Sequence, residues 1–191
     1  HFLQGIDIDA SRTTLVELRY EGDNYRRYHT VDERHAGEGI VRVSSIVSDS
    51  LFTRSRGHAL FLPLADCIGM TLFDKQKKIL GMAHLGRHNL VQYGGTKNIE
   101  YMQKTFGSHP RHIEISLSAA AGKSAYPLHD INNKGLHEVA LEQLLLTGVL
   151  QKNITVDTRD TTRDDRFFSH SNFLAGNQEF DGRHALVAIM R

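Results

Sequence analysis

The stretch from Pro63 to His88, PLADCIGMTLFDKQKKILGMAHLGRH, constrains the fold more than any other part of this chain. Two apolar runs, Cys67–Phe73 and Lys78–His84, flank the polar tetrapeptide Asp74-Lys75-Gln76-Lys77. Strand-like runs joined by a short polar turn read as a β-hairpin. If the turn is those four residues, Phe73 pairs with Lys78, and stepping outward sets Cys67 opposite His84. Opposed residues of an antiparallel pair share a face, with Cβ atoms about 4.5–5.5 Å apart. At that distance a thiolate and an imidazole can bind one metal ion, or the imidazole can take the thiol's proton. The same spacing also suits a buried cysteine packed beside a hydrogen-bonded histidine. A slip of one residue in the turn would send the two side chains to opposite faces.

The rest of the chain supplies strands and helices in no regular order. Thr13–Tyr20 is β-branched and alternating, and Ile40–Val47 repeats that pattern, so both are predicted strands. The polar, glycine-bearing Glu21–Gly39 between them reads as a long loop. Arg54–Gly57 is a turn before the apolar run His58–Leu64, so four strands crowd into residues 40–84. Ile99, Met102, Gln103 and Phe106 follow helical spacing from Thr96 to a stop at Gly107. A second helix is predicted from a cap at Asn132 or Asn133 through Gly148, with Leu136, Val139, Ala140, Leu144 and, at the margin, Leu145 on its apolar face. His112–Ser118, Asn153–Asp157 and Arg183–Met190 read as strands. Without βαβ alternation, the pattern predicts an α+β fold, a single domain over residues 1–191 with mixed β-sheets flanked by helices.

Composition narrows the function classes. A formal charge of +1 with no Lys/Arg cluster leaves no footprint for nucleic acid. No apolar run approaches the ~20 residues of a membrane span, and no signal-peptide pattern opens the chain. Cys67 is the only cysteine, which excludes an internal disulfide and points to a reducing, cytoplasmic setting. Residues 1–12 carry little pattern, and the chain opens on His1 as a truncated one would. Nothing in the pattern specifies an oligomeric state.

The hairpin also carries a resemblance. Ala65-Asp66-Cys67, then strand–turn–strand, then His84-Leu85-Gly86 resembles the A-D-C and H-A-G-W-R-G motifs of the YfiH/laccase-domain family. Ser48-Asp49-Ser50-Leu51-Phe52-Thr53 is similar to that family's A-D-A-x-x-T. Arg166-Phe167-Phe168-Ser169-His170 and Asp181-Gly182-Arg183 resemble its F-F-S-x-R and G-R-M-A segments. The departure is Arg87-His88-Asn89 in place of W-R-G. The resemblance implies a YfiH-like fold and a zinc-dependent enzyme that cleaves purine nucleosides with phosphate, deaminates adenosine-like ones, or does both. Its partners would then be a small-molecule nucleoside and phosphate.

The resemblance also implies a metal held by Cys67, His84 and a third residue. His35, followed by Ala36-Gly37, lies near the family's spacing, while His29 and Glu21 are alternatives. Carboxylate, imidazole and thiolate are all acceptable zinc donors. Asp66 is a candidate base, although a regular strand would point it away from Cys67. Arg87 is a candidate donor to phosphate, because a guanidinium offers paired N–H groups. Ser169 and His170 are candidates to reach the same pocket. Ala119–Lys123 lacks the G-x-x-x-x-G-K-[ST] frame of a phosphate loop. Three other functions compete with the zinc enzyme. They are a copper polyphenol oxidase, a metal-free Cys67–His84 hydrolase, and a non-catalytic metal-binding protein. No H-x-H pair supports the copper cluster.

Overall fold

The computed structural model describes residues 2–191, so the truncated opening read at His1 lies outside the described residues. Among the described residues, nine strands form two mixed sheets. β1 (Thr13–Leu15), β4 (Ala59–Leu64) and β9 (His184–Ile189) make the smaller, in the order β1-β4-β9. The larger has the order β2-β3-β6-β5-β7-β8, from β2 (Tyr28–Val31), β3 (Ser50–Thr53), β6 (Ile79–Leu85), β5 (Ile68–Asp74), β7 (Ile113–Leu117) and β8 (Ile154–Val156). Pairs β1/β4, β2/β3 and β7/β8 are parallel and the others antiparallel, which is the mixed α+β arrangement the sequence predicts.

The central strands are buried on both faces, and their period of two sorts side chains between two cores. Ile68, Met70 and Leu72 of β5 face one way, against α3 (Gly94–Phe106) and α4 (Leu136–Leu146), with Ile99, Met102, Val139 and Leu144 across the interface. Leu51, Leu80 and Met82 face the other way, against Leu60, Leu62 and Leu64 of the small sheet. The strand β6 is buried at every position, as a strand sandwiched between two layers must be. A Cβ on Gly69 would lie 2.6 Å from Leu64 and 2.7 Å from Leu186, so a glycine there lets the two sheets close together.

Five local expectations are corrected. The hairpin turn is Lys75–Lys78, not Asp74–Lys77, because Asp74 pairs with Ile79. Asp74 Oδ1 accepts the Gln76 and Lys77 N–H groups at 2.9 and 3.0 Å, capping the turn from the last strand residue. Ile40–Val47 forms no strand. Gly37 and Gly39 turn the chain at φ +83° and +73°, and buried Glu38 accepts Ser45 N–H at 3.2 Å and Ser45 Oγ at 3.0 Å. Val41 and Val43 are left exposed by that clamp. The loop read over Glu21–Gly39 contains β2, and the strand read over Thr13–Tyr20 ends at Leu15. α4 starts after Gly135 rather than from a cap at Asn132 or Asn133, both of which adopt positive φ.

Candidate active site

The two sheets part at the C-terminal ends of β4 and β6, leaving a cavity of about 520 Å³. Cys67, His84, Arg87, Tyr20, Tyr126 and His170 are among the residues that line it. The shift of the turn slides the hairpin register by two, so His84 pairs with Gly69 and Cys67 lies one step beyond the Ile68–Leu85 pair. A two-residue shift keeps side chains on their faces. Cys67 and His84 therefore still converge, as diagonal neighbours rather than directly opposed ones. Gly86 sits between them. A Cβ there would lie 2.9 Å from Cys67 Sγ, 2.9 Å from His84 Cε1 and 3.3 Å from His84 Nε2.

Burial outweighs the charged groups around the pair, among them Asp66, Arg87 and Arg183 near Cys67. Burial pushes the Cys67 thiol up to about 12, with the Asp66 carboxylate adding to the rise. Burial pulls the His84 imidazole down to about 4. Both groups are thus uncharged at neutral pH, which argues against a spontaneous thiolate–imidazolium nucleophile. Tyr20 meets the His84 ring edge-on, with centroids 6.3 Å apart.

Asp66, a predicted base, has other work. It is buried at φ +75°, and its Oδ1 accepts Thr161 Oγ1 at 2.8 Å while its Oδ2 accepts Ser171 N–H at 2.7 Å. Its carbonyl accepts Ala121 N–H at 2.8 Å. Asp66 thus ties three segments together around the cavity. Arg87 opens the short helix α2 (Arg87–Val91), with its guanidinium stacked 4.9 Å from the Tyr126 ring centroid. Its Nε is buried without a hydrogen-bond partner. His88, which stands where the family carries its arginine, is exposed and stacks on Tyr25 at 4.6 Å. In the Ala119–Lys123 segment the Gly122 N–H donates to Asp160 at 2.9 Å, so that loop holds a carboxylate of its own chain rather than a ligand.

The third metal donor is not where the sequence puts it. His35 belongs to the cap of a short 3-10 turn, where its Nδ1 accepts the Asp32 N–H at 3.2 Å. His29 lies on β2 and Glu21 is exposed in a bend, and none of the three lines the cavity. Among the described residues no group of three or more His, Cys, Asp and Glu gathers to hold a metal. A mononuclear zinc site needs three protein donors. Cys67 and His84 supply two, so the donor set does not fit a closed metal site, and no chemical step is routed through one. The same shortage leaves a multi-copper cluster without ligands. With only two donors, zinc titration should show weak binding at most, and what there is should be lost in both Cys67→Ala and His84→Ala. His35→Ala, His29→Ala and Glu21→Ala should all match the parent protein; a loss in any one of them would restore that residue as a ligand.

Tyr20, Tyr126 and Arg183 also line the cavity without having been singled out for it. Arg183 lay in a motif that hinted at the site, but the two tyrosines gave no signal. Tyr20 ends a run read as an ordinary strand, and Tyr126 stands in a loop.

Two packed mixed sheets in this arrangement are seen in other solved structures. The crystal structure of the hypothetical protein YfiH from Bacillus licheniformis aligns with 100% of this chain and 78% of its own, at a TM-score of 0.87 and 21% identity. YlmD from Geobacillus stearothermophilus aligns over the same shares, at a TM-score of 0.85 and 20% identity. The family model described as multi-copper polyphenol oxidoreductase laccase matches residues 16–134, and the chain belongs to that family. Among curated relatives, the purine nucleoside phosphorylase YlmD of Bacillus subtilis is 24% identical over 63% of this chain and 38% of its own length. A purine nucleoside phosphorylase of Corynebacterium glutamicum is 28% identical over 73% of this chain and 62% of its own. The chain thus spans less than two thirds of the length of either. No helix among the described residues is long and apolar enough to cross a membrane.

Proposed function

We propose that this chain acts on purine nucleosides, releasing the free base with phosphate as the nucleophile. The observation that carries this reading is a cavity of about 520 Å³, ample for a nucleoside, in which the Arg87 and Arg183 guanidinium groups line the wall near the Cys67–His84 pair. Phosphate as a nucleophile must be held by fixed donors, and a guanidinium stacked on a tyrosine ring is such a donor. The relatives named purine nucleoside phosphorylase support the same substrate class. Deamination of adenosine is the finer alternative on the same site. It needs an activated water and no anion pocket, so the two arginines favour phosphorolysis over it.

The test is one chromatographic assay of the purified chain with adenosine, with and without phosphate. Adenine and ribose 1-phosphate should form only when phosphate is present, whereas inosine would report deamination. The absence of any product from adenosine, inosine or guanosine would sink the proposal.

A further inference from the structure

The cavity is lined by a second chemical constellation, which the Cys67–His84 pair does not account for. His170 begins the short helix α5 (His170–Leu174) and lines the cavity. Its Nδ1 lies 3.0 Å from Asp181 Oδ1. Arg183, also at the cavity wall, donates to both carboxylate oxygens of Asp181, at 2.6 and 3.2 Å. Those bonds, with His170 adding to them, hold the Asp181 carboxyl down to about 2, so it is an anion throughout the neutral range.

The backbone on either side of His170 is fixed by two partners from elsewhere and by the cap of its own helix. Ser169 N–H donates to Gln178 Oε1 at 2.9 Å, and Ser169 Oγ accepts Asn172 N–H at 3.1 Å. Ser171 N–H donates to the buried Asp66 at 2.7 Å. An exposed histidine in a chance surface pair would need no such mooring. A carboxylate on Nδ1 selects the tautomer in which that nitrogen carries hydrogen, and leaves Nε2 as the working atom.

From this geometry we infer that His170 is the proton donor to the departing purine, with Asp181 as its positioning residue; the inference rests on the phosphorolytic reading above. A phosphate oxygen attacks the anomeric carbon, and the bond from that carbon to the purine nitrogen breaks. The bonding electron pair passes into the purine ring. His170, with Asp181 on its Nδ1, gives a proton from Nε2 to a purine ring nitrogen. It takes the phosphate hydroxyl proton in return, so the products are ribose 1-phosphate and neutral free base. General acid catalysis of this kind contributes at least about a hundredfold.

His170→Gln should lower kcat for phosphate-dependent base release about a hundredfold while leaving KM within a few-fold. Asp181→Asn should lower it about tenfold, in the range typical of a residue that orients another. The decisive variant is His170→Gly assayed with added imidazole, which should restore part of the lost rate without changing thermal stability. An unchanged kcat in His170→Gln, or a loss that imidazole does not relieve, overturns the role of His170 while leaving phosphorolysis standing. A parent protein that releases no base from any purine nucleoside overturns the phosphorolytic reading, and this inference falls with it.

Discussion

Asp49→Ala is expected to destabilise the chain by about 3–5 kcal/mol, the usual loss when one member of a buried ion pair is removed. Asp49 is 2% exposed and meets Arg27 through three bonds: Nε at 2.8 Å, the second guanidinium nitrogen at 2.9 Å and the backbone N–H at 2.9 Å. The hydrogen bonds to Asp49 in turn raise the pKa of Arg27. The pair does more than join two side chains. Arg27 also donates to the Arg19 carbonyl at 2.7 Å, and the Asp49 carbonyl accepts the His84 N–H at 2.9 Å. One contact therefore links the segment that carries Tyr20, the entries of β2 and β3, and the strand that carries His84. A chain of this size holds a total of about 5–15 kcal/mol. At about 2–4 °C per kcal/mol, Tm should fall by roughly 10 °C. Arg27→Met combined with Asp49→Leu should recover part of the loss, because it leaves no unpaired charge behind. A single-variant loss below about 1 kcal/mol would show that the pair is solvated and marginal.

The hairpin was legible because its signal is local. Apolar alternation specified two strands, and a polar tetrapeptide specified the turn. The register was misjudged because Asp74, polar by type, is a strand residue whose side chain caps the turn behind it. The error did no harm to the site, since moving the four-residue turn along by one slides the register by two and preserves parity. Ile40–Val47 failed for the opposite reason. Its alternation is that of a strand, but two glycines at positive φ and the Glu38 clamp fold the segment on itself. Local pattern carries no information about a carboxylate reaching seven residues along.

The limits at the site have the same origin. Cys67 and His84 are joined by one hairpin, so their meeting could be read by stepping along two strands. A third donor, or an aromatic wall, depends on where loops land. His35 matches the family's spacing in sequence yet caps its own turn, while Tyr20 takes the place beside His84. Asp66 was ambiguous on paper because its role is set by Thr161 and Ser171, about a hundred residues away. The His170–Asp181 contact joins two recognised motifs, and the sequence alone gave no reason to expect their side chains to touch.

Arg87→Ala is expected to lower phosphorolysis by about 10²–10³-fold, the loss typical when one fixed donor to developing negative charge is removed. The side chain is poised for that role. It is half-buried at the cavity wall, held flat on Tyr126, with a buried Nε that no group of the chain satisfies. An unpaired donor of that kind is costly in a folded protein unless a ligand or water meets it. The demand for phosphate should rise in the variant, whereas deamination, if the site supports it, should be untouched, because an attacking water needs no anion donor. Arg87→Lys should recover little, since an ammonium lacks the planar fork and cannot stack on the ring in the same way. Tyr126→Ala should produce a milder form of the same defect by freeing the guanidinium to wander. Steady-state rates at varied phosphate, with adenine and inosine quantified separately, give the reading. Equal loss of both products in Arg87→Ala would mean that the residue shapes the cavity as a whole. An unchanged phosphate dependence would transfer the anion site to Arg183, the other guanidinium on the same wall.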